Sequence, residues 1–367
     1  MKDLDLFKLE LEEFRKEIYK IDNKLIELLN ERGKIAQKIG DLKKELRIEI
    51  HQLKTEKEII ELIKQKSTIL KPMSIEAIWK EIISACKLIQ GSMIKVGYLG
   101  PKGTFTHQAA LEYFPKAATQ FLPFNSISEI FKNVEKDLVN YGVIPIENSL
   151  QGTVRETLDL LIEKDLVIYG EIEIRIIHNL LSTKDSSLSQ IRHIISHPQA
   201  FAQTRMWIKT NMPNAELINV NSTAEAAQRV SELNDDSYVA IGTEFSSKKY
   251  GLKVLSSKIE DNTVNFTRFL IISKKENDQK EGKVKTSLIF ITKHVPGALY
   301  GVLKIFADAN INLSKIESRP RRRGRWEYIF LMDFEGDKDD PKIKKILDKL
   351  NENVIWYKIL GSYLMVK

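Results

Sequence analysis

The sequence predicts a multidomain protein in which an all-α segment is followed by an α/β segment and then by an α+β segment. Apolar residues recur at helical spacing from about residue 3 to 92, and strand-like runs alternate with helical patterns from about 94 to 273. Residues 284–367 have the order strand, helix, strand, strand, helix, strand. A chain of 367 residues is also too long for one typical core and suits two or three domains.

The composition narrows the function classes. The formal charge of +7 is modest for this length, and every apolar stretch is short and interrupted by charges, so we expect neither a nucleic-acid partner nor a membrane partner. The first residues lack a signal-peptide core, and Cys86 is the single cysteine, which favours a cytoplasmic protein. No metal-ligand spacing or nucleotide-binding loop occurs, so we expect no metal and no cofactor.

One dense patch of charge stands out from this background. Five arginines lie between Arg319 and Arg325. We interpret the patch as a solvated hairpin turn, with attraction of anionic substrates as the alternative.

The first helix is predicted to be long, and no proline interrupts residues 1–71. Two shorter helices are predicted around 55–66 and 73–90. A helix without a partner of equal length in its own chain buries its apolar stripe against another copy, so we expect a homodimer or a higher homo-oligomer. The apolar stripe comprises Leu11, Phe14, Ile18, Ile21, Leu25, Leu28, Ile35, Ile39 and Leu42.

Three cations on this helix point to an anionic ligand. Arg32 falls where the stripe asks for an apolar residue, and a charge there requires a partner. Lys43 lies three turns further on, on nearly the same face. Arg15 precedes Lys43 by about 42 Å along a straight helix. If both serve one site, Arg15 must come from the partner chain.

Arg15, Arg32 and Lys43, followed by Glu56 and Gln90, resemble the all-helical chorismate mutase family in their spacing. The resemblance implies that chorismate lies inside an intertwined dimer. Lys43 and Gln90 would stabilise the ether oxygen, and Arg15, Arg32 and Glu56 would bind substrate.

The resemblance is incomplete in the segment before Glu56. The usual arginine and aspartate of this family are Thr55 and Gln52 here, and the usual serine is Cys86. We therefore expect the mutase activity to be weakened.

The middle segment carries three polar clusters, each at the end of an apolar run. Their strings are Gly-Pro-Lys-Gly-Thr-Phe at 100–105, Pro-Ile-Glu-Asn-Ser at 145–149 and Asn-Phe-Thr-Arg-Phe at 265–269. Ligand sites of α/β sheets occur at such positions. Predicted strands are Lys95–Leu99, Tyr141–Ile146, Val167–Ile176, Ile194–His197, Tyr238–Gly242 and Phe269–Ser273; predicted helices include Ser126–Leu138, Gln199–Thr210 and Thr223–Leu233.

In this order and spacing the three strings resemble prephenate dehydratase. The resemblance implies a two-lobed, periplasmic-binding-protein-like domain with the site in its cleft, and it assigns catalysis to Thr267. Arg268 either binds a carboxylate or braces the cleft, and His197 is either a general acid or a helix cap. The residues expected to bind substrate are Gly103, Thr104, Glu147, Asn148, Ser149, Arg268 and Phe269.

The last segment suits a ferredoxin-like fold. Its predicted elements are Lys285–Thr292, Ala298–Asn310, Asn312–Ser318, Glu327–Phe334, Pro341–Asn351 and Val354–Tyr363. Two strings resemble the phenylalanine-specific ACT regulatory domain, which implies that phenylalanine binds there as an effector. The residues of these strings that would bind it are Gly297, Ala298, Leu299, Glu317, Ser318, Arg319 and Pro320.

The prediction is therefore a chorismate mutase and prephenate dehydratase in one chain, with feedback inhibition by phenylalanine. We expect domains at 1–92, 93–275 and 284–367, the last two separated by the charged linker Lys274–Lys283. One alternative is a dehydratase whose vestigial mutase segment serves dimerisation or regulation. Another is a non-catalytic ligand sensor, against which the intact Thr267 argues.

Overall fold

The computed structural model describes residues 2–45, 53–183, 187–278, 282–320 and 328–365. The chain divides into two compact units, one of residues 1–94 with 115–120 and one of residues 95–114 with 121–367. Each unit is described by itself. None of the described helices is long and apolar enough to cross a membrane.

The described residues of the first unit form three helices, as predicted: α1 (Lys2–Glu45), α2 (Leu53–Lys66) and α3 (Pro72–Ile89). Small buried residues of α1, among them Gly33, Ala36 and Gly40, form the face that packs on α3. A Cβ added at Gly40 would lie 2.9 Å from the side chain of Gln90. The two helices therefore approach closely because α1 carries almost no side-chain bulk on this face.

The predicted apolar stripe of α1 lies on a different face. Its nine side chains, from Leu11 to Leu42, are between 40% and 62% exposed in the single chain. A row of exposed apolar side chains this long is typical of a surface that another protein covers.

The second unit begins with a six-stranded mixed sheet in the order β2-β1-β3-β11-β5, with β4 beside β3. Strand β11 runs antiparallel between β3 and β5, so the chain returns to this sheet after building the other lobe. The strands are β1 (Ile94–Leu99), β2 (Thr119–Phe124), β3 (Tyr141–Asn148), β4 (Gly152–Thr153), β5 (Val167–Arg175) and β11 (Phe266–Ser273), with helices α4 (Phe105–Tyr113), α5 (Ile127–Glu135) and α6 (Arg155–Glu163).

The other lobe is a five-stranded mixed sheet in the order β10-β6-β9-β7-β8. Its strands are β6 (Asn179–Ser182), β7 (His193–Ser196), β8 (Glu216–Asn219), β9 (Tyr238–Gly242) and β10 (Lys253–Ser256), with helices α7 (Pro198–Gln203), α8 (Arg205–Asn211), α9 (Thr223–Leu233) and α10 (Glu244–Tyr250). The single helix predicted over Gln199–Thr210 is wrong. The chain bends at Thr204, whose hydroxyl donates to the carbonyl of Ala200 at 2.8 Å and competes with the helical backbone bonds.

The third part has the predicted order of elements and forms a four-stranded sheet in the order β13-β14-β12-β15. The elements are β12 (Val284–Thr292), α11 (Ala298–Asp308), β13 (Leu313–Pro320), β14 (Tyr328–Glu335), α12 (Pro341–Asn353) and β15 (Val354–Leu364). Strand β13 lies at the edge of this sheet. The arginine run beyond residue 320 falls outside the described residues, but Arg319 belongs to β13.

The two faces of this sheet bury different residues. Leu288, Phe290 and Met332 pack in a core with apolar residues of α11 and α12. Ile289 and Leu331 belong instead to a core that also contains Ile144, Leu161 and Leu270 of the first lobe. The residues before and after the linker therefore share one hydrophobic core, and this sharing explains why they form a single compact unit.

Gly361 of β15 marks the closest approach across this shared core. Its φ is +149°, and an added Cβ would lie 2.4 Å from the carbonyl oxygen of Ile168 in β5. We expect Gly361→Ala to destabilise the protein by about 2–5 kcal/mol, since backbone atoms cannot give way as a flexible side chain can.

Thermal or denaturant unfolding measures this effect, with Gly301→Ala as the control because a Cβ at Gly301 meets no atom within 4 Å. If the two variants unfold at the same midpoint, the close approach of β15 to β5 is contradicted.

Candidate functional sites

The ends of β3 and β11 bring two of the predicted strings together. Thr267 is in register with Asn148, and Arg268 is in register with Glu147. The pairing shifts register between Arg268 and Phe269, which is an irregularity of the β-bulge kind. Bulges often occur beside active sites, where they re-aim a side chain.

Asn148 orients the hydroxyl of Thr267. The amide oxygen of Asn148 accepts hydrogen bonds from the backbone N–H groups of Leu150 at 3.1 Å and Gln151 at 3.2 Å, which identifies the other end of the amide as the donor. This amide nitrogen donates to Thr267 Oγ1 at 2.9 Å. The hydroxyl oxygen thus accepts from Asn148, and its own proton is left to be donated to a ligand.

Asn265 and Ser149 complete this cluster. Asn148 also donates to Asn265 Oδ1 at 2.8 Å, and Asn265 is fully buried. The Nδ2 atom of Asn265 is buried and has no hydrogen-bond partner among the described residues. Ser149 Oγ accepts from the backbone N–H of Phe266 at 3.0 Å and so ties the loop after β3 to the start of β11.

The loop between β1 and α4 holds Gly103 and Thr104. Gly103 has a φ of +100°, and an added Cβ would lie 3.3 Å from Tyr250 in the other lobe. Thr104 is the N-cap of α4, where its Oγ1 accepts from the backbone N–H of His107 at 3.2 Å. The loop therefore lies where the lobes meet, with α4 beginning at it.

His107 is a buried histidine in the first turn of α4, beside this loop. Its Nδ1 accepts from the backbone N–H of Gly103 at 3.1 Å, and its ring stacks on Tyr98. Burial lowers the pKa of His107 to about 4, so the ring is neutral near pH 7 and serves as an acceptor.

His197 likewise accepts at Nδ1, from the backbone N–H of Gln199 at 3.1 Å, as the N-cap of α7. This contact favours the capping interpretation of His197.

Arg268 points away from the hydroxyl of Thr267, since successive residues of a strand alternate between faces. Its Nη1 donates to Asp333 of β14 at 2.8 Å and lies 3.6 Å from Glu171, and its Nη2 lies 3.5 Å from Glu147. Burial alone would lower the pKa of Arg268, but Asp333 and Glu171 raise it above its ordinary value. These contacts favour the bracing interpretation of Arg268 over direct binding of a substrate carboxylate.

Phe269, the neighbour of Arg268, is 2% exposed and lies within the sheet core. Its backbone lies between β3 and β5, with which β11 pairs. A role in shaping the floor of the cleft suits this position better than direct contact with a solvated ligand.

The helical unit assembles several predicted residues from its three helices. Arg32 of α1 donates to the sulfur of Cys86 in α3 at 2.7 Å, so its guanidinium has a hydrogen-bond partner on the neighbouring helix. Glu56 of α2 pairs with Lys87 of α3 at 2.7 Å. Gln90 follows the last residue of α3 and packs against Gly40.

Arg15 lies apart from these residues. It is exposed near the other end of α1, and α1 is one continuous helix between Arg15 and Lys43. Lys43 is partly buried. Of the residues that depart from the expected pattern, Gln52 and the side chain of Thr55 lie outside the described residues.

The C-terminal strings lie at the start of α11 and along β13. Gly297 is the N-cap of α11 with a φ of +80°, followed by Ala298 and the partly buried Leu299. Along β13, Glu317 and Arg319 are partly buried, whereas Ser318 and Pro320 are exposed. The four residues of this string therefore do not face one site.

The inward residues of β13 contact the first lobe. Arg319 Nη2 donates to Asp159 of α6 at 2.8 Å, and Glu317 accepts from the hydroxyl of Thr153 in β4. One face of β13 thus holds the first lobe, and the opposite face is open.

Sequence reasoning did not assign Lys285, Lys315 or Asp333 to any site. Lys285 lies 2.7 Å from Glu171, and Lys315 lies 2.6 Å from Glu147. Asp333 accepts from Ser287 at 2.6 Å as well as from Arg268. A charged residue on a predicted core strand is a weak signal, because the sequence does not say which partner will neutralise it.

Three family models match the chain in order. They are chorismate mutase type II over residues 14–91, prephenate dehydratase over residues 96–277 and the ACT domain over residues 286–352.

Curated and solved proteins are similar over most of the chain. The bifunctional chorismate mutase/prephenate dehydratase of Aquifex aeolicus is 42% identical over 359 residues, which is 96% of this chain and 98% of that protein. The solved prephenate dehydratase of Arthrobacter aurescens, in complex with L-Phe, is 32% identical with a TM-score of 0.68 and covers 74% of this chain and 90% of its own. The solved quorum-quenching acylase GqqA is 30% identical with a TM-score of 0.65 and covers 73% of this chain and 97% of its own.

Proposed function

The chain belongs to the family of bifunctional chorismate mutase/prephenate dehydratases, and we propose that its two reactions take place at the sites built from the residues described above. The enzyme rearranges chorismate to prephenate and then converts prephenate to phenylpyruvate, with phenylalanine as feedback inhibitor. Relatives that span the whole chain carry both activities in their names, so the vestigial-mutase alternative and an acylase activity are not favoured.

The observation that carries the dehydratase proposal is the hydrogen bond from Asn148 to Thr267 at 2.9 Å. In the reaction the ring hydroxyl departs with its bonding electrons and takes up a proton to become water. The ring carboxylate leaves as carbon dioxide, and the electrons of its carbon–carbon bond complete the aromatic ring. Thr267 is oriented to donate a hydrogen bond to the departing oxygen, and Asn265 and the amides of the Gly103 loop suit the carboxylates.

The mutase step needs no nucleophile and no acid–base pair, because chorismate rearranges within one molecule. Cations bind its two carboxylates and stabilise negative charge at the ether oxygen as the transition state forms. We propose Arg32 and Arg15 for the carboxylates, Lys43 and Gln90 for the ether oxygen, and Glu56 for further contact with substrate.

We further propose a homodimer, formed through the exposed stripe of α1. A helix of 44 residues is about 66 Å long, and Arg15 cannot reach the site of its own chain along it. A second copy running antiparallel would cover the stripe and bring its Arg15 to Lys43. A cytoplasmic location suits this biosynthetic role.

One assay tests the two activities. The purified protein is incubated with chorismate and, separately, with prephenate, and the loss of each substrate and the formation of phenylpyruvate are followed. We expect both reactions. Prephenate turnover without chorismate consumption would support the vestigial mutase, and no turnover of either substrate would support a non-catalytic sensor.

Phenylalanine is proposed to bind at the N-terminus of α11 beside Gly297. Gly297 has a φ of +80°, a conformation that a β-branched residue rarely adopts, and no atom would contact an added Cβ within 4 Å. We expect Gly297→Val to weaken phenylalanine binding in calorimetry by about tenfold or more, because the side chain would occupy open space that the ligand needs. Dehydratase activity without phenylalanine should persist.

The matched control is Gly251→Val at the end of α10, where φ is +67° and an added Cβ also meets no atom within 4 Å. This variant has similar backbone strain and should keep phenylalanine binding. Equal loss of binding in both variants would assign the effect to strain and refute the proposed location.

A further inference from the structure

The catalytic strand of the dehydratase is held by the ACT sheet through charged groups. Arg268, the residue after Thr267, donates to Asp333 of β14 at 2.8 Å. The side chain of Asp333 is 1% exposed and that of Arg268 is 16% exposed. Arg268 also lies 3.6 Å from Glu171, and Asp333 lies 3.7 Å from Lys285, so the pair belongs to a buried charge network. Such a network fixes geometry, since removing one member leaves the opposite charge with fewer partners in a buried site.

A second contact reaches the other strand of the site. Lys315 of β13 lies 2.6 Å from the carboxylate of Glu147, which precedes Asn148 on β3. Its ammonium group also lies 3.4 Å from Glu317 and 3.4 Å from the hydroxyl of Thr153. The cation nearest to Glu147 among the described residues therefore comes from the ACT domain, with Arg268 further away at 3.5 Å.

Both contacts lie at irregularities of their strands. Strand β13 shifts register against β14 between Leu313 and Lys315, and Lys315 is then opposite Asp333. Strand β11 shifts register against β3 directly after Arg268. Each irregularity re-aims the side chain that crosses between the domains, as bulges commonly do.

Successive residues of β13 alternate between two faces, one that contacts the dehydratase lobe and one that is exposed. Lys315, Glu317 and Arg319 face the dehydratase lobe, whereas Ser318 and Pro320 of the proposed phenylalanine-binding string are exposed on the opposite face. Because β13 is an edge strand bonded only to β14 within the described sheet, it can move without breaking a second ladder. If phenylalanine bound beside Gly297 also contacts the exposed residues Ser318 and Pro320 of β13, its binding moves Lys315 with the strand.

We propose that Lys315 and Asp333 are positioning residues of the dehydratase site, and that β13 couples phenylalanine binding to that site through the contact of Lys315 with Glu147. This inference rests on the proposed function, and it names the residues through which the regulation acts. Lys315 holds Glu147, and with it the end of β3 that carries Asn148. Asp333 holds Arg268, and with it the end of β11 that carries Thr267.

The test uses full-length Lys315→Met, which keeps the length of the side chain and removes its charge, and Lys315→Arg, which keeps the charge. The control is Lys304→Met, which removes an exposed ion pair with Asp308 on α11. For each protein we would measure kcat and KM for prephenate, mutase activity, the unfolding temperature, phenylalanine affinity by calorimetry and inhibition by phenylalanine.

For Lys315→Met we expect kcat for prephenate to fall by about tenfold to a hundredfold, as small misplacements of catalytic groups do. Mutase activity and phenylalanine affinity should stay near those of the wild type, while saturating phenylalanine should inhibit less. Coupling is reciprocal, so prephenate should also lose its effect on phenylalanine affinity. Lys315→Arg and Lys304→Met should behave like the wild type.

Unchanged kcat and unchanged inhibition in Lys315→Met would overturn the proposal. A parallel loss of kcat, mutase activity and unfolding temperature, without rescue by Lys315→Arg, would also overturn it, because that pattern belongs to a purely structural contact. Asp333→Asn is a second test of the positioning role. Its amide keeps the shape of the carboxylate but loses the charge, so we expect kcat to fall. Failure of the proposed function itself is separate: the wild-type protein would then not dehydrate prephenate or not bind phenylalanine.

Discussion

Replacing Thr267 with alanine is expected to lower kcat for phenylpyruvate formation by about 10²- to 10⁴-fold, the usual contribution of a positioned proton donor. Asn148 donates to the hydroxyl oxygen at 2.9 Å, and the variant loses the group that this bond orients. Steady-state kinetics with prephenate measures the loss. Mutase activity should be unchanged, because the proposed mutase residues all lie in the helical unit.

Thr267→Ser serves as the control, since it keeps the hydroxyl and loses only a methyl group. It should retain most of the activity if the hydroxyl is the reacting group. A near wild-type rate in Thr267→Ala would show that the assignment is wrong.

The second large effect concerns the mutase site and the dimer together. Arg15→Ala and Lys43→Ala should each lower mutase activity by about 10²- to 10³-fold, since each removes one cation that stabilises the transition state. Dehydratase activity should persist in both. Co-expression of the two inactive chains should restore about a quarter of the wild-type mutase activity, because half of the randomly formed dimers are mixed and each mixed dimer has one intact site of two.

The matched negative control is the co-expression of two other single variants, Arg32→Ala and Lys43→Ala. Arg32 and Lys43 come from the same chain in each proposed site, so every site of a mixed dimer lacks one of them. No activity should return in that mixture. Equal recovery in both mixtures, or no recovery in either, would contradict the contribution of Arg15 by the partner.

The local pattern of apolar and polar residues was sufficient to predict the secondary-structure elements of the C-terminal segment. Residues 284–367 were predicted as strand, helix, strand, strand, helix, strand, and the structure has these six elements, most with ends within one or two residues of the prediction. Each is a long run with one clear period and a turn or cap at its ends. Strands β2, β4, β6, β8 and β10 were not predicted; all of them except β2 have four residues or fewer, and so short a run shows a period only weakly.

The pairing of Asn148 with Thr267 was only half predictable. Both strings were recognised as strand ends, but their contact depends on β11 returning to lie beside β3 after the whole second lobe. At α8 the sequence predicted continuity where the structure has a break. Its residues continue the pattern of α7, and a single side-chain bond at Thr204 separates the two helices.

The sequence by itself determined the three kinds of segment, the long first helix with its apolar stripe, and the strings that resemble known active and regulatory sites. These features depend on residue type and spacing along the chain, which no folding is needed to see. The tertiary structure alone decided that Arg268 pairs with Asp333, that Lys315 binds Glu147, and that the residues on either side of the linker share a core. The alternation of residues along a strand indicates that its two faces differ. It does not indicate which part of the protein covers each face, or which residue pairs with a buried charge. Both depend on residues that are far apart in the chain and meet only when it folds.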